Sequence, residues 1–250
     1  MDDFLIVKDL WKSFGDEQVL RGVDISFSEG EVTSIIGQSG TGKSVLIKNL
    51  IGVLEPDRGD ILLRGKSMVT GSEEERAEMR RHFGYLFQDS ALFDSMTVAE
   101  NIAFPLVEGR GEKDRKRIDH MVREKLDWIG LPDVADTYPA ELSGGMRKRV
   151  GLARTLAVEP EVLLFDEPTT GLDPILAETI NDLITRVNEE FGITCILITH
   201  DIQATFRISD YIGFLYDGQI QAQGTPRELS KTDHPVLREF ISNSFSKLEV

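Results

Sequence analysis

Four short, predominantly apolar runs recur along this 250-residue chain and restrict its fold more than any other feature. They occupy residues 32–36, 83–87, 162–165 and 193–198. Each has the length of a strand and is too apolar for a strand with one exposed face. Because the runs alternate with amphipathic stretches, they predict an α/β fold in which helices flank a largely parallel sheet.

A further pair of strand-like segments predicts a hairpin near the end of the chain. Residues 211–216 and 219–222 flank the dipeptide Asp217-Gly218. This dipeptide readily supplies the positive φ angles of a two-residue turn. We therefore expect an antiparallel edge at this point.

Helix starts are marked by capping boxes, in which a hydroxyl and a carboxylate three residues later satisfy exposed amides. The three pairs are Ser72 with Glu75, Thr97 with Glu100, and Thr225 with Glu228. A fourth helix is indicated by apolar residues at helical spacing from Ile180 to Val187, with Gly192 suited to end it. Strand-like runs are missing between residues 89 and 158, which predicts a helical insertion within the α/β core.

Composition limits the partners and the environment. The chain has 43 acidic and 28 basic residues and a formal charge of −15, which argues against a nucleic-acid partner. Cys195 is the single cysteine, so an internal disulfide is excluded and a reducing compartment is expected. We find no secretory signal and no apolar window of about 18 residues, so any membrane role is expected to depend on a partner.

A glycine-rich octapeptide lies between the first apolar run and a predicted helix, and it fits the G-x-x-x-x-G-K-[ST] pattern. Its residues are Gly37, Gln38, Ser39, Gly40, Thr41, Gly42, Lys43 and Ser44. Such a loop points backbone N–H groups at phosphate oxygens, and Lys43 adds a charge near the β and γ phosphates. Ser44 would then ligate magnesium. The alternative, a glycine-rich turn that binds nothing, is disfavoured by the strand-loop-helix context.

Two adjacent carboxylates follow the third apolar run. Asp166 is placed to hold magnesium, directly or through water, and Glu167 to polarise the water that attacks a γ phosphate. A pair of solvated acids at a strand end is the alternative, and the upstream phosphate loop makes it the weaker one.

A second candidate anion site precedes a long helical pattern at residues 147–157. Ser143, Gly144 and Gly145 follow Leu142, and small residues at a helix start can bind an anion through backbone amides. Taken alone, these residues are more typical of a plain helix cap than of an anion site.

Together these elements resemble the nucleotide-binding subunit of ABC transporters, from about Leu5 to Gly224, with Leu-Ser-Gly-Gly as the signature motif. The resemblance implies a RecA-like P-loop NTPase core with an antiparallel β subdomain and a helical insertion. It implies an ABC ATPase domain over residues 1–225, with a helical subdomain at about 89–158. A C-terminal helical extension would follow at 226–250.

Four smaller elements match the same family. Phe14 resembles the aromatic residue that stacks on adenine, although an ordinary Phe is the alternative. Gln88 resembles the Q-loop glutamine that senses magnesium and water, and Asp173 matches the D-loop. His200 matches the switch histidine that contacts the γ phosphate, whereas a lone His after a strand is more often structural. The resemblance thus implies Glu167, His200 and Gln88 as catalytic residues, with Ser44, Gln88 and Asp166 as magnesium ligands.

The family resemblance also implies partners. Two head-to-tail copies would hold two ATP molecules, each between the phosphate loop of one chain and the signature residues of the other. Such a homodimer would act on an integral membrane permease.

A finer similarity points to ATPases of Mla/Mce-type phospholipid transport systems. It lies in residues 87–106, in Met146 with residues 147–154, and in residues 233–241. It implies phospholipid transport between membranes, an Mce-domain lipid-binding partner, and a peripheral position on the cytoplasmic face of a bacterial inner membrane. An ABC importer for small solutes and a soluble ABC ATPase without a transport role are the alternatives.

Overall fold

The computed structural model describes residues 4–245, and its strands form two sheets. The strands of the described residues are, in chain order, β1 (Leu5–Phe14), β2 (Glu17–Phe27), β3 (Val32–Ile36), β4 (Arg58–Leu63), β5 (Lys66–Ser67), β6 (Phe83–Leu86), β7 (Val162–Asp166), β8 (Thr194–Thr199), β9 (Tyr211–Tyr216) and β10 (Gln219–Gly224). An antiparallel sheet has the order β2-β1-β4-β5. The larger sheet has the order β10-β9-β3-β8-β7-β6.

The larger sheet confirms the prediction from the apolar runs. All four runs form strands, and β3, β8, β7 and β6 lie side by side and parallel. Their register aligns Ile36 with Thr199 and Leu86 with Phe165, so their carboxyl ends meet at one edge. The loops that follow these strands therefore lie next to one another.

The expected hairpin is present, with one correction. β10 pairs with β9 in antiparallel register at the edge of the sheet. β9, however, pairs in parallel with β3, so only β10 is antiparallel. The helix between β8 and β9 carries the chain back across the sheet before β9 begins, which makes β9 one more parallel strand.

The helices are α1 (Lys43–Leu50), α2 (Glu73–Arg80), α3 (Val98–Phe104), α4 (Arg115–Trp128), α5 (Gly144–Leu156), α6 (Pro174–Phe191), α7 (Ile202–Ile208), α8 (Pro226–Leu229) and α9 (Pro235–Phe245). All three predicted capping boxes form, at the starts of α2, α3 and α8. The helix predicted around residues 180–187 is α6, and it ends before Gly192 as expected.

The segment from residue 89 to 158 contains helices and no strand, as predicted. Its helices α3, α4 and α5 share a separate apolar cluster that includes Val98, Leu126 and Val150. The helix α5 also contributes Leu152 and Leu156 to the cluster beneath β6 and β7. α5 therefore joins the helical segment to the large sheet.

The last helix of the described region packs on its own chain. Leu237 of α9 is fully buried with Ile202 and Phe214, and the ring centroids of Phe240 and Phe214 are 5.7 Å apart.

Within residues 4–245, no helix combines the length and the apolar character that spanning a lipid bilayer requires.

Candidate active site

The glycine-rich loop connects β3 to α1 at the aligned strand edge. Gly42 has φ 98° and caps α1, a conformation that favours glycine. A Cβ on Gly37 would lie 2.3 Å from the carbonyl oxygen of Leu215, so only glycine fits there. The apex, Gln38 to Gly40, is exposed. The loop is thus a backbone concavity at a helix N-terminus, which is the geometry that binds phosphate.

Lys43 lies beneath this loop rather than in solvent. It is 6% exposed, and its ammonium donates to the carbonyl oxygens of Gly37 at 2.8 Å and Gln38 at 2.9 Å. Burial lowers the pKa of Lys43, while the nearby carboxylates of Glu167 and Asp166 act in the opposite direction. The cation therefore lies between the loop and the two strand-end acids.

Ser44 and Asp166 bring two oxygen atoms together next to the loop. The Ser44 hydroxyl donates to Oδ1 of Asp166 at 3.2 Å. Oδ2 of the same carboxylate accepts a 2.8 Å hydrogen bond from the Tyr85 hydroxyl. Burial and the bond to Asp166 raise the pKa of Tyr85, so its hydroxyl stays protonated and remains a donor.

Glu167 occupies a turn with an unusual backbone. Its φ of 50° is in the left-handed region, which costs a non-glycine residue about 1–3 kcal/mol. Its amide donates to the carbonyl of Ile198 at 2.8 Å, and its carbonyl accepts from the amide of Thr170 at 3.2 Å. The Thr170 hydroxyl also donates to Oε2 of Glu167 at 3.1 Å. The turn thus fixes both the main chain and the carboxylate.

His200 completes this cluster from the end of β8. Its Nδ1 lies 2.7 Å from Oε2 of Glu167, and its side chain is 60% exposed. Gln88 is exposed two residues beyond β6, at the same strand edge. The structure thereby brings Lys43, Asp166, Glu167 and His200 together, with Gln88 in the loop that follows the neighbouring strand.

Phe14 lies at the end of β1, in the other sheet. It is 48% exposed, with the ammonium of Lys12 5.7 Å from its ring centroid. The following strand brings Val19 to the loop, because a Cβ on Gly42 would lie 3.0 Å from Cγ1 of Val19. An exposed aromatic face in this position is suitable for stacking on a base.

The second candidate anion site forms a separate group. Ser143 accepts a 3.2 Å hydrogen bond from the Met146 amide and so caps α5. The nearest side chains to Gly144 and Gly145 are Leu172 and Leu176, which flank Asp173. The Asp173 carboxylate caps α6 by accepting from two amides at 3.0 Å. Ser143, Gly144, Gly145 and Asp173 therefore lie together, and among the described residues none of the four bonds to Lys43, Asp166, Glu167 or His200.

The donor set next to the phosphate loop fits a magnesium ion. A serine hydroxyl and a carboxylate oxygen 3.2 Å apart are hard oxygen ligands, and Mg²⁺ prefers one or two protein oxygens beside substrate phosphates. Gln88 could add an amide oxygen from the next strand end.

Three residues of this region escaped the sequence prediction: Tyr85, Thr170 and Lys148. Tyr85 and Thr170 bond to the two strand-end acids, and Lys148 donates to the carbonyl of Thr170 at 3.0 Å. A hydroxyl on the otherwise apolar β6 was the available signal for Tyr85. Nothing in the local sequence distinguishes Thr170 or Lys148.

A phosphate loop, strand-end acids and a histidine at the edge of a parallel sheet define a P-loop nucleotide hydrolase. The sequence pattern of the family described as ABC transporter matches residues 20–170. The chain belongs to this family of ABC transporter ATP-binding domains, and it is an ATP hydrolase of the ABC type.

The chain resembles several relatives, and their names refer to the transport of different substrates. A probable ribonucleotide transport ATP-binding protein, mkl, of Mycobacterium leprae is 42% identical over 94% of this chain and 68% of its own. The intermembrane phospholipid transport system ATP-binding protein MlaF of Haemophilus influenzae is 37% identical over 94% and 89%. The methionine import ATP-binding protein MetN of Carboxydothermus hydrogenoformans is 36% identical over 97% and 73%. The chain spans about two thirds of the length of the mycobacterial relatives.

The fold is that of solved ATP-binding cassettes. The ATP-binding cassette MJ0796, in a dimeric post-hydrolysis state bound to ADP and Pi, has a TM-score of 0.81 and 32% identity over 90% of this chain and 99% of its own. This likeness confirms the predicted fold class.

Proposed function

We propose that the chain is the ATP-hydrolysing subunit of an ABC transporter that moves phospholipid between membranes. The convergence of Lys43, Asp166, Glu167 and His200 at one strand edge is the observation that carries the hydrolytic part of this proposal. The domain boundaries at residues 225 and 226, and the helical subdomain at about 89–158, belong to the same proposal.

In this proposal the phosphate loop binds the triphosphate of ATP, and Phe14 stacks on its adenine. Lys43 is already desolvated below the loop, so its charge would act on the β and γ phosphates in a site of low polarity. Magnesium, held by Ser44 and Asp166 with Gln88 nearby, would neutralise phosphate charge when bound.

Glu167 is the proposed general base. Its carboxylate is 16% exposed and is held by Thr170 and His200, so it can orient a water molecule and accept its proton. His200 is far more exposed and bonds to Glu167 through Nδ1, so its other ring nitrogen, Nε2, would contact the γ phosphate.

The separation of the two anion sites supports a homodimer. Ser143, Gly144 and Gly145 lie with Asp173 rather than with the phosphate loop of the same chain. A second, head-to-tail copy would bring its signature residues to the open side of the loop, and ATP would then bind between the chains. Loss of the γ phosphate would release the two halves and supply the motion that a permease uses.

Mixing two inactive variants tests this shared site. Lys43→Ala disables the phosphate loop, and Gly144→Asp disables the signature; a Cβ at Gly144 has 3.7 Å of clearance and should not disturb the fold. Random pairing of equal amounts leaves about one quarter of the sites intact if each ATP is held by two chains. We expect magnesium-dependent ATPase activity to return on mixing. Activity that stays absent in the mixture, with both variants folded, contradicts a shared site.

The MlaF relative supports phospholipid as the cargo, because this match covers most of both chains. The partners are then an integral membrane permease and an Mce-domain lipid-binding protein, with the ATPase peripheral on the cytoplasmic face of the bacterial inner membrane. Solute import is the second candidate, favoured by the methionine import relative.

Purification of the tagged chain from native membranes separates the two candidates. We expect a permease, an Mce-domain protein and bound phospholipid, identified by mass spectrometry, and phospholipid-stimulated ATPase activity that Lys43→Ala abolishes. Recovery of a small-solute-binding protein, with stimulation by methionine or a ribonucleotide instead, would refute phospholipid transport.

A further inference from the structure

Lys148 of α5 is a buried cation with no carboxylate partner. It is 6% exposed, and within residues 4–245 it forms no salt bridge, whereas the equally buried Lys125 pairs with Glu124 at 2.8 Å. Its ammonium donates to two backbone carbonyls, that of Thr170 at 3.0 Å and that of Glu167 at 3.5 Å. Burying an ammonium is costly, so its contacts indicate what the charge is used for.

Both contacts are in the turn that carries Glu167. This turn holds Glu167 at φ 50°, a strained conformation for a residue with a Cβ. Lys148 contacts its first and its last residue, so it spans the turn from below. Burial lowers the pKa of Lys148, and the negative charges of Asp89 and Glu167 oppose this shift.

The same helix begins at the signature motif. Ser143 caps α5 five residues before Lys148, which is about 7.5 Å along a helix axis at 1.5 Å per residue. A rigid helix therefore connects the signature residues to the turn of Glu167.

We propose that Lys148 is a positioning residue for Glu167, and that it couples the signature helix to the hydrolytic carboxylate of the same chain. This inference rests on the proposed role of Glu167 as the general base. ATP bound in the phosphate loop of the partner chain would contact Ser143 and restrain α5. Lys148 would then restrain the turn that carries Glu167.

Steady-state kinetics test the proposal with matched variants. Lys148→Met and Lys148→Gln are both neutral and one atom shorter than lysine. The Met variant removes the charge and every donor, whereas the Gln variant keeps an amide donor that cannot reach both carbonyls. Losing hydrogen bonds from a charged donor should lower kcat about tenfold or more in the Met variant, with an intermediate loss in the Gln variant. The affinity for a fluorescent ATP analogue should change less than about twofold, because the phosphate loop is untouched. Lys125→Met, at a buried lysine outside the site, should retain the wild-type kcat.

A double-mutant cycle separates positioning from general stability. If Lys148 acts through Glu167, then Lys148→Met should cause no further loss of single-turnover hydrolysis in a Glu167→Gln background. Additive losses, or an unchanged kcat in either Lys148 variant, overturn the inference. Should the Met variant fail to fold, the Gln variant is carried through the same cycle. A wild-type protein without magnesium-dependent ATPase activity would instead overturn the proposed function.

Discussion

Tyr85 offers a sharp test of how the site is held, because one atom can be removed without changing the packing. Its hydroxyl donates to Oδ2 of Asp166 at 2.8 Å, while Ser44 donates to Oδ1. Tyr85→Phe removes the first bond and leaves the second. A hydrogen bond to a charged group contributes about 1.5–3 kcal/mol. In a chain of this length, the loss corresponds to a decrease in Tm of about 3–12 °C.

The same bond should govern magnesium dependence. With Oδ2 released, the carboxylate can rotate away from Ser44, and the paired oxygens proposed to hold the metal are no longer fixed. If the whole free energy were expressed in metal binding, the magnesium concentration for half-maximal activity would rise about 10- to 150-fold. Tyr85 stays protonated because its pKa is raised by burial, so this difference between the two proteins should persist across the pH range of the assay.

The assay combines thermal unfolding with magnesium titrations of ATPase activity and of fluorescent ATP binding. Tyr216→Phe is the matched control, since the Tyr216 hydroxyl makes no hydrogen bond within the described part of the chain. We expect the control to match the wild type in both measurements. A Tyr85→Phe protein with wild-type Tm and wild-type magnesium dependence would show that this hydrogen bond orients nothing.

Three other changes have defined outcomes. Gly37→Ala should abolish ATP binding and cost about 1–3 kcal/mol of stability, because its Cβ would lie 2.3 Å from the carbonyl oxygen of Leu215. The control is Gly109→Ala, whose Cβ would lie in open space and should change neither the titration with an ATP analogue nor unfolding in urea. Burial raises the pKa of the Cys195 thiol above its ordinary 9.0, so the folded protein keeps this proton to a higher pH than the unfolded chain does. The thiol therefore contributes a loss of stability as the pH rises past 9.0. At pH 8 a thiol reagent should accordingly modify Cys195 only as fast as the protein unfolds, and rapid native labelling would contradict its burial. Leu237→Ala should lower the free energy of unfolding by about 2–5 kcal/mol in urea, and an unchanged midpoint would argue against α9 packing on its own chain.

The sequence predicted those features that local chemistry determines. The loop at residues 37–44 needs small residues so that its backbone can come close to a phosphate, and the pattern of these residues therefore predicts the geometry of the loop. The capping boxes at Ser72, Thr97 and Thr225 were correct because both partners lie within one helical turn. The parallel pairing of β9 was missed, since strand direction depends on the path of the intervening helix rather than on the hairpin sequence.

The supporting contacts of the candidate site were beyond sequence reasoning. Tyr85 and Asp166 are 81 positions apart, and their contact exists only because β6 and β7 are neighbours in the sheet. The bond from Lys148 to Thr170 joins α5 to the turn that follows β7. In the sequence, Tyr85 and Lys148 look like any exposed tyrosine or lysine. Only their burial and their partners in the fold distinguish them.

The motifs therefore predict the parts that are proposed to contact ATP, whereas the structure adds the groups that hold those parts in place. The phosphate loop and the signature residues lie apart on one chain, and α5 is the element that touches both the signature end and the turn of Glu167. If Lys148 positions Glu167 as proposed, a substitution in α5 should change hydrolysis without weakening ATP binding at the phosphate loop. In that proposal the separation of binding from turnover depends on a buried cation that bonds to the turn, and it would not arise if Lys148 were paired within its own helix as Lys125 is.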